Sequence, residues 1–356
     1  MAKTDQRPRV LFFFPHPAKP EVARIRTGEM PKERLYGAIE LQARGWQVDF
    51  ADRRFSGSAA RMRERMGWLG INFIDLKTLR SLRQYNCVVA KDGFSTMLSV
   101  AAKLARVPIV YLDAMFALPE RWRRRWPARI NLAVADRVIC YSKTQAGIWA
   151  QSFGLPEQRF EVLPYCIDLD FYRQRRRDAP LERRILAVGR DLGRDFLTLA
   201  RAVRDTDLTL TLVTLPYLLS DEIRRQSNVE ILERIPYDKL FDLYARCSCV
   251  VVPLEGGVTY PSGIRAVMES LALGKSTVAT ESPVLREYFG ESSGICYVPA
   301  DDPEALRREL ESIVGDTHRR ERMESLAWPV ISSFDLETFV DPLEALLTRT
   351  IGDSTA

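Results

Sequence analysis

Histidine is nearly missing from this chain, with two in 356 residues, and its six cysteines (Cys87, Cys140, Cys166, Cys247, Cys249 and Cys296) never form a CxxC pair. A zinc site therefore has no ligand spacing to rest on, and no metal site is expected. Most of the cysteines lie inside apolar runs, which reads as buried free thiols in a reducing compartment. Long apolar runs are also lacking. The first, Val10 to Phe14, is followed by no small-residue cleavage site, and no later stretch reaches the ~20 residues that a membrane span needs. A signal peptide and a spanning helix are thus not expected, and the protein is read as cytoplasmic. Internal repeats and low-complexity tracts are absent. Charge of one sign is scarce as well: a net +5 over this length does not call for a nucleic-acid partner, and none is expected.

What the chain does have is hydrophobic material, 46% of its residues, enough for two ordinary domains. Short apolar runs alternate with helix-patterned segments. In the first half, strands are expected at Val10–Phe14, Trp46–Ala51, Cys87–Ala90, Pro108–Leu112, Arg137–Tyr141 and Phe160–Leu163. A Pro-, Lys- and Arg-rich loop follows the first strand, then a helix over Glu33–Arg44. Arg53 to Arg83 gives no clear pattern. A second alternation starts at Ile185 and runs through strands at Leu208–Val213, Val229–Leu232, Val250–Pro253, Ser276–Thr280 and Gly294–Val298. Uninterrupted apolar strands separated by helices imply parallel sheets covered on both faces. The fold class is α/β, with an N-terminal Rossmann-like domain over 1–170, a charged linker over 171–184, a C-terminal Rossmann-like domain over 185–335 and a helical tail over 336–356, placed against the first domain.

Two such domains suggest a cleft lined by strand C-termini. Two segments carry the chemistry. In AVGRDLGRDF, Gly189 lets the backbone turn, and Arg190 and Arg194 stand at a helix start, where two guanidiniums and outward N–H groups suit a diphosphate. The same residues also fit a solvated start, salt-bridged by Asp191 and Asp195. In VVVPLEGGVTYPSGIRAVMESLALGKSTVAT, residues 250 to 280, Ser262 can cap a helix, Gly263 permits close approach, Ile264 opens the helix, and Glu269 suits ribose hydroxyls or a surface charge. Substituting Arg190 or Glu269 by Ala is expected to weaken diphosphate binding without unfolding the chain.

Four segments, ADRVICYSKTQAG, VLPYCIDLDFY, VGR and the block from IPYDKL to STVAT, make the chain resemble the family-four glycosyltransferases, a retaining group with the GT-B fold. The resemblance implies a sugar transferred from a nucleotide-diphosphate donor, UDP- or GDP-linked, to a carbohydrate, glycolipid or other small acceptor. The nucleotide sugar is then a co-substrate, and no resident cofactor is implied. It gives Arg190 the diphosphate role and Glu269 that of the second of two glutamates about two helical turns apart. The position of the family's lysine is empty, with Arg194 the nearest cation, and Pro261 stands where the first glutamate belongs; Glu255 is a candidate replacement. Where relatives place a histidine after a first-domain strand, this chain has Lys91 and Asp92. Asp92 is assigned a contact near the reacting sugar, or else a capping role, and His16 ends the first strand. A nucleotide-binding module without turnover and a membrane scaffold are the competing readings. The second draws on residues 115–133, where Trp122 and Trp126 interleave with arginines, a composition suited to peripheral contact at the inner face of a membrane.

Overall fold

A computed structural model describes residues 7–14, 18–52, 76–91, 96–112, 122–291 and 294–355. The chain divides into two compact units, Met1–Pro164 with Leu336–Ala356, and Tyr165–Asp335. Each is built on one six-stranded parallel sheet.

In the first unit the strands are β1 (Arg9–Phe14), β2 (Gln47–Asp52), β3 (Cys87–Lys91), β4 (Ile109–Leu112), β5 (Arg137–Cys140) and β6 (Phe160–Val162), in the order β2-β1-β3-β4-β5-β6. Val10 to Phe14 are all buried, as are Val88 and Val89. Successive residues of a strand point to opposite faces, so such runs are stable only when both faces are covered. On one side Leu11, Phe13, Val88 and Cys140 pack with Leu98, Leu132 and Trp149 from the covering helices.

Two expectations fail here. The segment after β1 is a helix, Ala18–Arg26, whose Val22 and Ile25 are buried one turn apart; its polar composition hid an apolar stripe of only a few residues. The single helix expected over Glu33–Arg44 is broken at Tyr36 (φ 50°) and Gly37 (φ 79°) into a short 3-10 turn and Ala38–Ala43. The break is where the C-terminal helix, Leu336–Thr355, lies against the chain. A Cβ on Gly37 would approach Leu343 Cδ2 to 3.0 Å. That helix buries Leu336, Phe339, Val340, Leu343, Leu346 and Leu347, the three-and-four spacing of one helical face. Arg44 anchors it through ion pairs to Glu337, Asp341 (2.6 Å) and Glu344 (2.7 Å), and the Trp46 indole donates to Glu344 at 2.6 Å.

In the second unit, β7 (Glu182–Val188), β8 (Thr209–Val213), β9 (Val229–Leu232), β10 (Cys247–Val252), β11 (Thr277–Thr280) and β12 (Ile295–Val298) run in the order β12-β11-β10-β7-β8-β9. The stretch 171–184, expected as a linker, lies within this unit. It carries most of a capped helix, Leu169–Arg173, and the start of β7. Its arginines masked the burial of Phe171 and Tyr172. A further helix, Thr317–Ile331, was not foreseen, because its run of charged residues and Pro329 obscure the buried Ala327 and Ile331.

Strands β7 and β10, which are not consecutive in sequence, lie side by side, so the winding direction reverses between them. Loops leaving the carboxyl ends of two such strands diverge and open a crevice. The corresponding reversal in the first sheet lies between β1 and β3. Five cysteines are buried and Cys296 is half-buried, and all six are free thiols. Among the described residues no helix is long and apolar enough to cross a membrane.

Replacing Arg44 by Ala removes three ion pairs from one partly buried guanidinium, and we expect a loss of about 1–2 kcal/mol. Chemical denaturation should register it, while Arg44→Lys should recover only part, having lost the planar fork.

Candidate functional site

The crevice expected at the β7/β10 reversal is lined by two loops, 189–195 after β7 and 253–263 after β10. They are laced together. The Asp195 amide donates to the Pro253 carbonyl at 3.3 Å, and the Glu255 amide to the Gly193 carbonyl at 2.9 Å. Asp191 makes the tightest link: one carboxylate oxygen takes Arg194 Nε at 2.8 Å, while the other accepts from the Ser262 hydroxyl and from the Gly193 amide at 3.2 Å. Burial by itself would raise this carboxyl's pKa; the Arg194 charge and these hydrogen bonds outweigh it and hold the group below its ordinary range.

Arg194 folds back over the start of its own loop. Its guanidinium lies so close to Gly189 that an added Cβ there would stand 2.6 Å from Nε. Gly189 is needed for space, since its φ is not in the left-handed region. Only 5% of the Arg194 side chain is exposed, and its buried Nη1 has no hydrogen-bond partner. Arg190, by contrast, is exposed, and among the described residues no ion pair or hydrogen bond engages it. Asp195 caps the helix Phe196–Val203 by accepting from the Thr198 amide. The salt-bridged reading therefore holds for Asp191 with Arg194, and leaves Arg190 out.

Across the crevice, Ser262 does not cap the helix Ile264–Ala272. Its hydroxyl is spent on Asp191, and the capping position falls on Gly263, φ 82°, with no side-chain cap. The first-turn N–H groups are thus left to the backbone and to whatever approaches them. Gly263 is doubly required, because a Cβ would also meet Val252 Cγ1 at 2.8 Å.

Glu269 lies less than two turns further in, and it is buried and engaged. Oε1 accepts from the Tyr172 hydroxyl at 2.9 Å and from Arg265 Nε at 2.8 Å, and Oε2 from the Tyr244 hydroxyl at 3.4 Å. Arg265 in turn reaches the Tyr237 hydroxyl at 3.0 Å. The surface-charge alternative for Glu269 is excluded. Glu255 is exposed and gathers with Asp195 and Asp301, their carboxylate oxygens lying within 4.8 Å of one another. Its pKa is raised, first by burial and then by those two like charges.

Gly189, Arg190, Arg194, Ser262, Gly263, Ile264 and Glu269 thus belong to one unit, on the facing loops and first helix of a single crevice. Lys91 belongs to the first unit; it ends β3 and sets its Nζ 3.9 Å above the Tyr36 ring. Asp92 and His16 lie outside the described residues, as do 115–121 of the basic, Trp-containing segment. Asp191, Tyr260 and Arg265 were not singled out as site residues. Tyr260 covers Gly193, and burial, then Asp191, push its hydroxyl up to about 12. The spacing of Arg265 and Glu269, one turn apart, was the available signal for their pairing.

Two parallel six-stranded sheets with this winding define a GT-B α/β protein. A family model for glycosyl transferases group 1 matches residues 182–316, and one for glycosyltransferase family 4 matches 38–171. The chain belongs to the group 1 glycosyltransferases. Among solved structures it is similar to Anabaena HepE in complex with UDP-glucose, at 17% identity and a TM-score of 0.68, over 96% of this chain and 100% of that one. A glycosyltransferase from Rickettsia africae ESF-5 (15%, 0.69, over 97% and 99%) and the sucrose-phosphate synthase of Thermosynechococcus elongatus (16%, 0.69, over 98% and 100%) share the fold as well. No curated protein matches the chain significantly.

Removing the Asp191 carboxylate strands a buried guanidinium, so Asp191→Asn should destabilise the second unit by about 2–3 kcal/mol. Because the folded carboxyl titrates below its unfolded value near 3.9, this contribution is present at neutral pH and lost as pH falls through the folded pKa. Thermal midpoints of wild type and variant should therefore converge in acid.

Proposed function

We propose that the enzyme transfers a sugar from a UDP-sugar, with the donor diphosphate held in the β7/β10 crevice of the second unit. UDP is preferred over GDP because the similar Anabaena protein was solved with UDP-glucose. Arg190 is the cation that meets the diphosphate, and the uncapped first turn of Ile264–Ala272 supplies N–H groups to it. Arg194, held by Asp191, adds fixed positive charge behind them. The observation that carries this reading is the contrast between the two arginines: one is locked and short of a hydrogen-bond partner, the other is exposed and unengaged, both on one loop at a strand C-terminus.

Positive charge fixed before the donor arrives stabilises the departing diphosphate without reorganisation, and electrostatic terms of this type are commonly the largest in catalysis. No protein nucleophile is invoked, and transfer with retention is the proposed stereochemical course. A buried donor lacking a partner costs on the order of 1–3 kcal/mol, which a phosphate oxygen reaching Arg194 Nη1 would recover. Glu269 keeps acceptor capacity on Oε2, since a carboxylate offers about four lone-pair sites, and we assign that capacity to a ribose hydroxyl. The proposed acceptor is a carbohydrate or glycolipid, and free thiols suit a cytoplasmic setting, at the inner face of the membrane for a lipid-linked acceptor.

Calorimetric titration with UDP tests the assignment. Arg190→Ala should weaken binding at least about tenfold, the equivalent of 1.4 kcal/mol, with an unchanged thermal midpoint. Equal affinity in wild type and variant would overturn it. Glu269→Ala should behave differently from the sequence-based expectation: it leaves Arg265 buried without its carboxylate and should cost about 3–5 kcal/mol of stability in addition to affinity. Glu269→Gln, which keeps the shape, separates the two effects.

A further inference from the structure

We infer that the outward face of three successive helices in the first unit, Thr96–Ala105, Trp122–Val134 and Lys143–Phe153, docks on an anionic lipid bilayer. These helices make the crossovers β3 to β4, β4 to β5 and β5 to β6, and those strands are neighbours in that order. Right-handed crossovers stepping in one direction put all three helices on the same face of the sheet. They are tied to each other: Ser99 bonds Asn131 at 2.7 Å, and Arg125 donates to the Ser152 carbonyl at 2.7 Å. Their solvent sides consequently form one surface.

Two independent features of that surface point to the same partner. The first is charge. The chain holds 47 acidic residues, yet the sequence of these three helices contains none, while their described exposed side chains include Lys103, Arg125, Arg129 and Lys143. A face intended only for solvent mixes both signs to avoid a field of one sign. The second is exposed apolar area on the same helices. Leu104 is 77% exposed, Trp126 58% and Val100 45%. Val100, Lys103 and Leu104 share one stripe by their spacing, and Trp126 and Arg129 share another. Leucine and valine standing clear of the surface, an indole on the next helix and cations on the same helices match the layering of a bilayer boundary: acyl chains, headgroup level and anionic phosphates. An acidic protein surface would satisfy the cations but would gain little from Leu104 and Val100.

The arrangement differs from the one read in the sequence, which centred on residues 115–133. The helix Thr96–Ala105 supplies two of the three apolar anchors, and Arg125 is turned to the neighbouring helix and the Phe153 ring, 5.9 Å away. The inference does not depend on the donor assignment.

Sedimentation of the full chain with vesicles tests it. Binding is expected to phosphatidylcholine vesicles containing phosphatidylglycerol, to weaken with added salt, and to be slight on phosphatidylcholine alone. The double variants Leu104→Glu/Trp126→Glu and Lys103→Glu/Arg129→Glu should each lower the partition coefficient at least about tenfold, as expected for the loss of apolar insertion or of several charge contacts. UDP affinity and thermal midpoints should stay at wild-type values, since these side chains are on the surface of the first unit. Wild type that fails to sediment with anionic vesicles, or both variants binding as wild type does, would overturn the proposal.

Discussion

The carboxylate of Asp191 holds the candidate site in its shape. It joins the loop after β7 to the loop after β10 through Arg194 and Ser262, and much of the local chemistry follows from that choice of partners. Because Ser262 is committed to Asp191, the helix behind it starts on an uncapped glycine. Because Arg194 is drawn back, position 189 must be glycine for want of space. Because Arg194 is consumed, Arg190 is the cation left exposed at the strand end. One buried ionic contact therefore sorts two neighbouring arginines into a fixed, buried charge and an exposed, unengaged one.

Glu269 carries a similar double constraint. A carboxylate buried to this depth needs partners, and Tyr172, Tyr244 and Arg265 provide them from two other helices and its own. The residue that the family resemblance assigns to the donor's ribose is thus also a structural tie between the helices Leu169–Arg173, Tyr237–Arg246 and Ile264–Ala272. The buried ties of Glu269 link this position to stability in a way that exposed Arg190 is not linked.

Most of the fold was legible because parallel strands buried on both faces announce themselves as short apolar runs, and all twelve strands overlap segments read as strands, including β2, β6 and β9, which carry acidic residues. The helices were read less well, and for one reason. A helix buries a stripe of a few residues, so charged neighbours can hide it, as in Ala18–Arg26, Leu169–Arg173 and Thr317–Ile331. At the site, glycine and arginine at a strand end were readable from local chemistry. Which arginine stays exposed was not, since that depends on Asp191 meeting a serine 71 residues away.

The sequence by itself determined the two parallel sheets, the alternation that builds them and the loops able to receive an anion, because each is a local consequence of apolar periodicity and turn chemistry. Tertiary structure decided the rest: the side-by-side placement of β7 and β10 that makes a crevice, the partners of Asp191 and Glu269, the pairing of the C-terminal helix with Arg44, and the gathering of three acid-free helices on one face. Arg194 lies one turn from Asp191 and Arg265 one turn from Glu269, but the other contacts join residues far apart in the chain, fixed by how the sheets are wound and packed, and no local window of sequence contains both partners.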